Sequence, residues 1–196
     1  PNVVRAMAEI KKACAMANRG IGALSAAKAE AIMRAADEII TGKMAGQFPV
    51  NIWRGGGTSI NMNVNEVIAN RANEILTGAK GYDQVHPNDH VNMCQSSNDV
   101  FPTAEQIVLY REIEAVTASA LVFEKALEAK AREFARVVRL GRTAMQDGVP
   151  MTLGQVFIGF RGMVRRNRKL LGTWKDNCRR APHGHGFLFR TGSHPG

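Results

Sequence analysis

From Thr103 to Arg136 the chain runs without a glycine or a proline. Apolar residues return every three or four positions in it: Leu109, Ile113, Val116, Ala120, Phe123, Leu127, Ala131 and Phe134. That period is the signature of an α-helix with one buried stripe. With Pro102 at its start, the segment 102–136 spans roughly 50 Å at 1.5 Å per residue. A rod of that length suits a helical bundle or an oligomeric assembly better than a small globule. The rest of the chain reads the same way. Residues 3–18 carry Val3, Val4, Met7, Ala8, Ile10 and Cys14 at helical spacing, and Asn18–Gly22 is a break. Ser25 is placed to cap a second helix that buries Ile32, Ala36, Ile39 and Ile40, with Gly42 just beyond its end. A third helix is expected from Asn63, with Glu66 at capping-box spacing, to Gly78. Thr152 is placed to cap a last helix running to Leu171. The expected fold class is all-α. Residues 1–98 would form an N-terminal helical domain, 99–196 the start of a long central bundle, and 173–196 a divergent basic tail.

Charge and cysteine usage narrow the function classes. The net charge is +9, but it is not spread evenly. Residues 1–160 hold 17 basic and 16 acidic residues, whereas 161–196 hold 9 basic residues and the single acid Asp176. No aromatic residues interleave with those arginines in the manner of a base-stacking surface, so no nucleic-acid partner is expected. No apolar run approaches a membrane span, and no membrane partner is expected. Cys14, Cys94 and Cys178 are odd in number and lack CxxC spacing. They point to a reducing, cytoplasmic setting and away from a disulfide scaffold or structural zinc. His86 and His90 are four apart, but Pro87 argues against a helical metal pair, and no metal is expected.

Three polar loops hold most of the chemistry. They are Gly55–Asn63, with Gly55-Gly56-Gly57-Thr58-Ser59; His86–Asp99, with Pro87-Asn88-Asp89 and Gln95-Ser96-Ser97-Asn98; and Gly141–Pro150, with Arg142-Thr143 and Gln146-Asp147. Two of them lead into helices, where backbone N–H groups and Ser, Thr and Asn side chains can cradle a carboxylate or phosphate. Capping and turn formation use the same residues. The glycine triplet lacks the Lys-Ser/Thr of a P-loop.

Together the three blocks resemble the fumarase/aspartase superfamily. Its Gly-Thr-Ser-x-Asn-Met-Asn-x-Asn-Glu-Val block is similar to Gly57–Val67, continued by the motif Ile68-Ala69-Asn70-Arg71, its Pro-Asn-Asp-x-Val-Asn block to Pro87–Asn92 running into Gln95–Asp99, and its Gly-Arg-Thr-x-x-Gln-Asp-x-x-Pro-x-Thr-Leu-Gly-Gln block to Gly141–Gln155. The resemblance covers about residues 1–172. Thr58-Ser59, Cys94 and Val149-Pro150-Met151 make it closest to the aspartate ammonia-lyase branch. That implies a carbon–nitrogen lyase, catalysing reversible anti elimination of ammonia from L-aspartate to fumarate. Class II fumarate hydratase and a non-catalytic lyase-fold scaffold are the alternatives.

The resemblance further implies a homotetramer whose active sites draw the three blocks from different subunits, a small dicarboxylate substrate, and no metal or organic cofactor. It assigns Thr58 and Ser59 to a substrate carboxylate. Ser96, Ser97 and Asn98 go to the activated carboxylate or amino group, and Thr143 to the other carboxylate. His86, Asn88 and Asp89 go to a secondary anion site. Some positions depart from the family. Ala144 stands where His or Gln is usual, Arg54 where Gln is expected, and Val156 where Glu is expected. The family's catalytic Gly-Ser-Ser…Met-Pro-x-Lys-x-Asn loop does not occur in the 196 residues, so the general base is unassigned and the chain alone is expected to be inactive.

Overall fold

The computed structural model of the chain describes residues 2–48 and 56–179. Pro49, Arg54, Gly55 and the tail with His183, His185 and Arg190 lie outside the described residues. Five α-helices dominate: α1 (Asn2–Gly20), α2 (Ala26–Ile40), α3 (Gly56–Thr77), α4 (Ser97–Glu133) and α5 (Leu153–Asn177). A π-helical turn, Pro87–Val91, precedes α4. A two-stranded antiparallel hairpin, β1 (Val138–Thr143) and β2 (Gln146–Thr152), precedes α5. The all-α expectation holds, with this hairpin as an addition. No helix among the described residues is long and apolar enough to cross a membrane. The chain divides into two compact units between Val108 and Leu109, inside α4.

In the first unit α1, α2 and α3 pack through small residues. Ala6, Ala8, Ala29, Ala35, Ala36, Ala69 and Ala72 are fully buried, and they let the backbones approach around Met7, Ile32, Val64 and Ile68. The breaks at Gly22 and Gly42 are left-handed helix caps. Gly22 N–H donates to Arg19 O and Ala23 N–H to Asn18 O; Gly42 N–H donates to Ile39 O and Lys43 N–H to Glu38 O. Both glycines have positive φ, 78° and 84°, which only glycine adopts without steric cost. Ser25 occupies the N-cap of α2, though its side chain makes no capping hydrogen bond.

Two helices begin earlier than expected. α3 starts at Gly56 instead of Asn63, so there is no capping box at Asn63 and the Thr58-Ser59 pair lies within the first turns. A Cβ on Gly57 would fall 2.6 Å from the Phe101 ring, and the missing side chain is what lets α4 lie against this end of α3. α4 starts at Ser97, placing Pro102 inside it. Ser96 supplies the start that Pro102 was expected to mark: its Oγ accepts from Asn98 N–H at 3.2 Å, and its carbonyl accepts from Asp99 and Val100.

The long polar segment after α3 is organised by one buried side chain. Asn73 Nδ2 donates to Ala69 O and Val85 O, both at 2.8 Å, and Asn73 Oδ1 accepts from Gln84 and Val85 N–H. Lys11 is the other buried polar anchor. It is fully inaccessible, and its Nζ donates to Asn92 Oδ1 at 2.7 Å. Burial pulls its pKa from 10.5 down to about 7, and the negative charge of Cys14 in its ionised form opposes that shift only in part.

In the second unit the end of α4 and α5 run antiparallel, held by a polar ladder. Glu124, buried, accepts from Arg168 Nε at 3.0 Å; Arg161 pairs with Glu128 and Lys175 with Glu114. Gly154 lies against the backbone of Ala131 and Ala135, and Phe157 stacks on Phe134. Gly141–Pro150, expected as a loop, is mostly hairpin. Its two-residue turn, Ala144-Met145, has φ of 48° and 60°, the left-handed pair of a type I′ turn. Thr152 does cap α5, as a full capping box with Gln155.

Two stability measurements follow. Asn73→Ala strands the buried N–H and C=O of Val85, so urea unfolding of the chain should show a loss of roughly 2–4 kcal/mol; a loss below about 0.5 would mean the segment is held otherwise. Lys11 takes up a proton in the unfolded chain at pH values where the folded chain has released it. Stability therefore rises from pH 7 towards pH 10, by at most about 1.4 kcal/mol per unit from this group. Lys11→Met should flatten that rise, and an unchanged pH dependence in the variant would assign it to other groups.

Candidate active site

Thr58 and Ser59 are exposed in the first turns of α3, where its unpaired backbone N–H groups point outward. Ser96, half-buried, is the N-cap of α4; Ser97 and Asn98 are the first two helical residues, the latter exposed. The approach of Gly57 to Phe101 brings these two helix N-termini together, one residue from Thr58 and one turn from Ser97. Helix dipoles and N–H groups at both ends favour an anion there. The structure thus unites Thr58 and Ser59 with Ser96, Ser97 and Asn98 in one unit. Thr143 belongs to the second unit, exposed at the end of β1 opposite Gln146.

The clamp between the two blocks is a set of residues that carry no expected role. Asn92 Oδ1 accepts from Lys11 Nζ, from Asn61 Nδ2 and from Asn65 Nδ2, the last two at 3.2 Å, while Asn92 Nδ2 donates to Gln95 O at 3.0 Å. Asn61, Asn65 and Lys11 are buried. A polar residue at a position where helical periodicity expects an apolar one was the available signal.

The π-helical turn carries His86, Asn88 and Asp89. His86 Nδ1 accepts from Asp89 N–H and lies 3.1 Å from Asp89 Oδ2, while Asn88 is exposed. His90 Nδ1 accepts from His86 N–H at 2.9 Å, and its Nε2 lies 2.9 Å from Lys28 Nζ. Burial, and then Lys28, push the His90 pKa below its usual value. Both ring nitrogens are engaged, and among the described residues no group of three His, Cys, Asp or Glu side chains is arranged to hold a metal.

A cavity of about 380 Å³ opens elsewhere on the first unit, lined by Glu38, Arg71, Glu74 and Tyr82 among others, and by none of the expected site residues. Arg71 is clamped there by both oxygens of Glu38, at 2.8 and 2.9 Å, and by Glu74 at 2.7 Å. Its side-chain hydrogen bond to Glu38 holds that carboxyl below its usual pKa. The arginine of the Asn70-Arg71 motif is a structural tie between α2 and α3.

Comparison with known proteins corrects one expectation. A class II fumarate hydratase of Chromobacterium violaceum is 50% identical over 163 residues, covering 82% of this chain and 35% of that protein. A class II fumarate hydratase of Thermosynechococcus vestitus is 48% identical over 165 residues, with 83% and 35% covered. The chain thus spans about a third of the length of the curated relatives it matches. Among solved structures, a fumarate lyase:delta crystallin of Brucella melitensis aligns with a TM-score of 0.83 and 45% identity over 92% of this chain and 43% of its own. A class II fumarase of Schistosoma mansoni aligns at 0.77 and 39% identity over 86% and 36%.

These relatives overturn the aspartate ammonia-lyase reading. The residues behind it are weak discriminators: Ser59 and Cys94 are exposed, and residues 149–151 lie on a largely exposed strand. No packing constraint ties them to a substrate. A family model described as "Lyase" matches residues 2–193. The chain belongs to this lyase family, within the fumarase/aspartase superfamily.

Proposed function

We propose that the protein is a class II fumarate hydratase, adding water reversibly to fumarate to give malate, a carbon–oxygen rather than carbon–nitrogen lyase reaction. The observation that carries this reading is the run of class II fumarate hydratases at about half identity over four-fifths of the chain. The geometry supports it. Neutral donors at Thr58, Ser59, Ser96, Ser97 and Asn98 gather at two positive helix ends and suit one carboxylate of a small dicarboxylate. They suit still better the charge-rich aci-carboxylate formed when a proton leaves the adjacent carbon. Thr143 takes the other carboxylate, and His86, Asn88 and Asp89 form a secondary anion site. The reaction calls for no metal or organic cofactor.

The active site is completed in a homotetramer: the Thr58–Ser59 and Ser96–Asn98 blocks come together from one subunit, and the Thr143 block comes from another. Exposed Leu109, Val116, Val122 and Phe123 on α4, with Leu170 and Trp174 on α5, are the apolar surface that such an assembly would cover.

Hydration of fumarate is measured in the full product of the gene. Thr58→Ala and Ser97→Ala should each lower kcat/KM for fumarate about 10²–10³-fold with the fold retained. Wild-type turnover with no loss in either variant would remove both residues from the site. A second reading, a lyase-fold scaffold without turnover, is favoured by Ala144, whose methyl group can neither donate to a carboxylate nor relay a proton. Hydratase activity in the wild-type gene product overturns it.

A further inference from the structure

α1 presents Lys11, Cys14 and Asn18 along one stripe, at i, i+3 and i+7. Two of the three are tied to consecutive residues of the segment that follows the π-helical turn. Lys11 Nζ donates to Asn92 Oδ1 at 2.7 Å, and Asn18 Nδ2 donates to Met93 O at 3.3 Å. Cys14 stands between these two ties on the helix, and the next residue of the segment is Cys94. Both thiols are free. Cys94 is exposed, with a left-handed φ of 58°; Cys14 is half-buried. The two ties bracket Cys14 on α1 and set Cys94 one residue beyond the second of them. Burial raises the Cys14 pKa, the Lys11 ammonium opposes that, and a charge on Cys94 adds to it. Cys94 is the thiol that solvent reaches first.

We propose that Cys14 and Cys94 are a redox modification pair, forming an intrachain disulfide that fastens the segment ahead of Ser96 to α1. With hydrogen peroxide as oxidant, the Cys94 thiolate attacks one peroxide oxygen. The O–O bond breaks, hydroxide leaves, and the sulfur, oxidised by two electrons, becomes a sulfenic acid. Cys14 then attacks that sulfur. The S–S bond forms, the S–O bond breaks, and the departing hydroxide takes the Cys14 proton as water. Two thiols and one peroxide give one disulfide and two waters. The bridge adds a covalent tie beside two hydrogen bonds, two residues before the cap of α4. It stands on the fold of the first unit and does not depend on which substrate the site takes.

The test uses the 196-residue chain with hydrogen peroxide, followed by alkylation of free thiols and tryptic mapping without reduction. Thiol titration should fall from three groups to one, with Cys178, in the other unit, as the survivor. A cross-linked species should join Ala13–Arg19 to Gly81–Arg111, two hydrogens lighter than the separate peptides, in protein that still migrates as a monomer. Cys94→Ser should keep both remaining thiols and give no such species, with an unchanged circular dichroism spectrum. The proposal is overturned if Cys14 stays alkylatable while Cys94 proceeds to sulfinic acid. Cross-links that involve Cys178, or that join two chains, overturn it as well.

Discussion

One amide oxygen holds the first unit's functional segments in register. Asn92 Oδ1 receives an ammonium from α1 and two amides from α3, all from buried side chains. It works beside the Lys28–His90 and Asn18–Met93 contacts and the buried Val91, which hold the same segment to α1, α2 and the core. The arrangement carries a cost, since the ammonium of Lys11 sits where water cannot reach it, and its lowered pKa is the measure of that. A buried polar cluster of this kind adds little net stability but narrows the packings open to the segment, because moving Asn92 away strands the buried donors of Lys11, Asn61 and Asn65. Asn73 does the same for the preceding stretch, answering two backbone donors and two carbonyls with one side chain.

The helices were legible in the sequence because their signal is repetitive. Many apolar residues vote for the same period, and Gly22, Gly42 and Gly78 mark stops that follow from steric exclusion at positive φ. Starts were less legible. Pro102 is a strong local signal, yet Ser96 won because its side chain meets an N–H that the helix leaves unpaired. The early start of α3 depends on Gly57 meeting Phe101, a contact between residues 44 apart that no local window contains. The hairpin between α4 and α5 was hidden for a similar reason: Gly148 and Pro150 read as loop punctuation, whereas the pairing of Arg139 with Met151 is a tertiary fact.

The motif blocks identified the superfamily, while the choice of branch within it rested on three small features and went astray. Under the proposed function the donors in these blocks would grip a dicarboxylate whatever its leaving group, so the blocks would report the half of the chemistry that does not separate the branches. Lys11, Asn61 and Asn65 escaped notice because each occupies a helix, where a polar residue is read as solvent-facing unless its partner is known. The four-residue spacing of His86 and His90 serves a different contact in space, with His90 Nδ1 taken by the backbone N–H of His86 and Nε2 facing Lys28.

The tight turn at Ala144-Met145 works as a filter on chemistry. Both residues lie in the left-handed region, and neither is glycine. Such a backbone penalises β-branched side chains most and tolerates Asn, Asp and His best. Whatever residue stands at 144 is therefore chosen twice: once for what its side chain does, and once for whether the backbone will hold it. Imidazole and short amides pass both tests, and valine, isoleucine and threonine fail the second. A methyl group passes the second and contributes nothing to the first, so the hairpin keeps its shape with alanine there. The shape of that corner is set apart from whatever chemistry the residue standing at it can do.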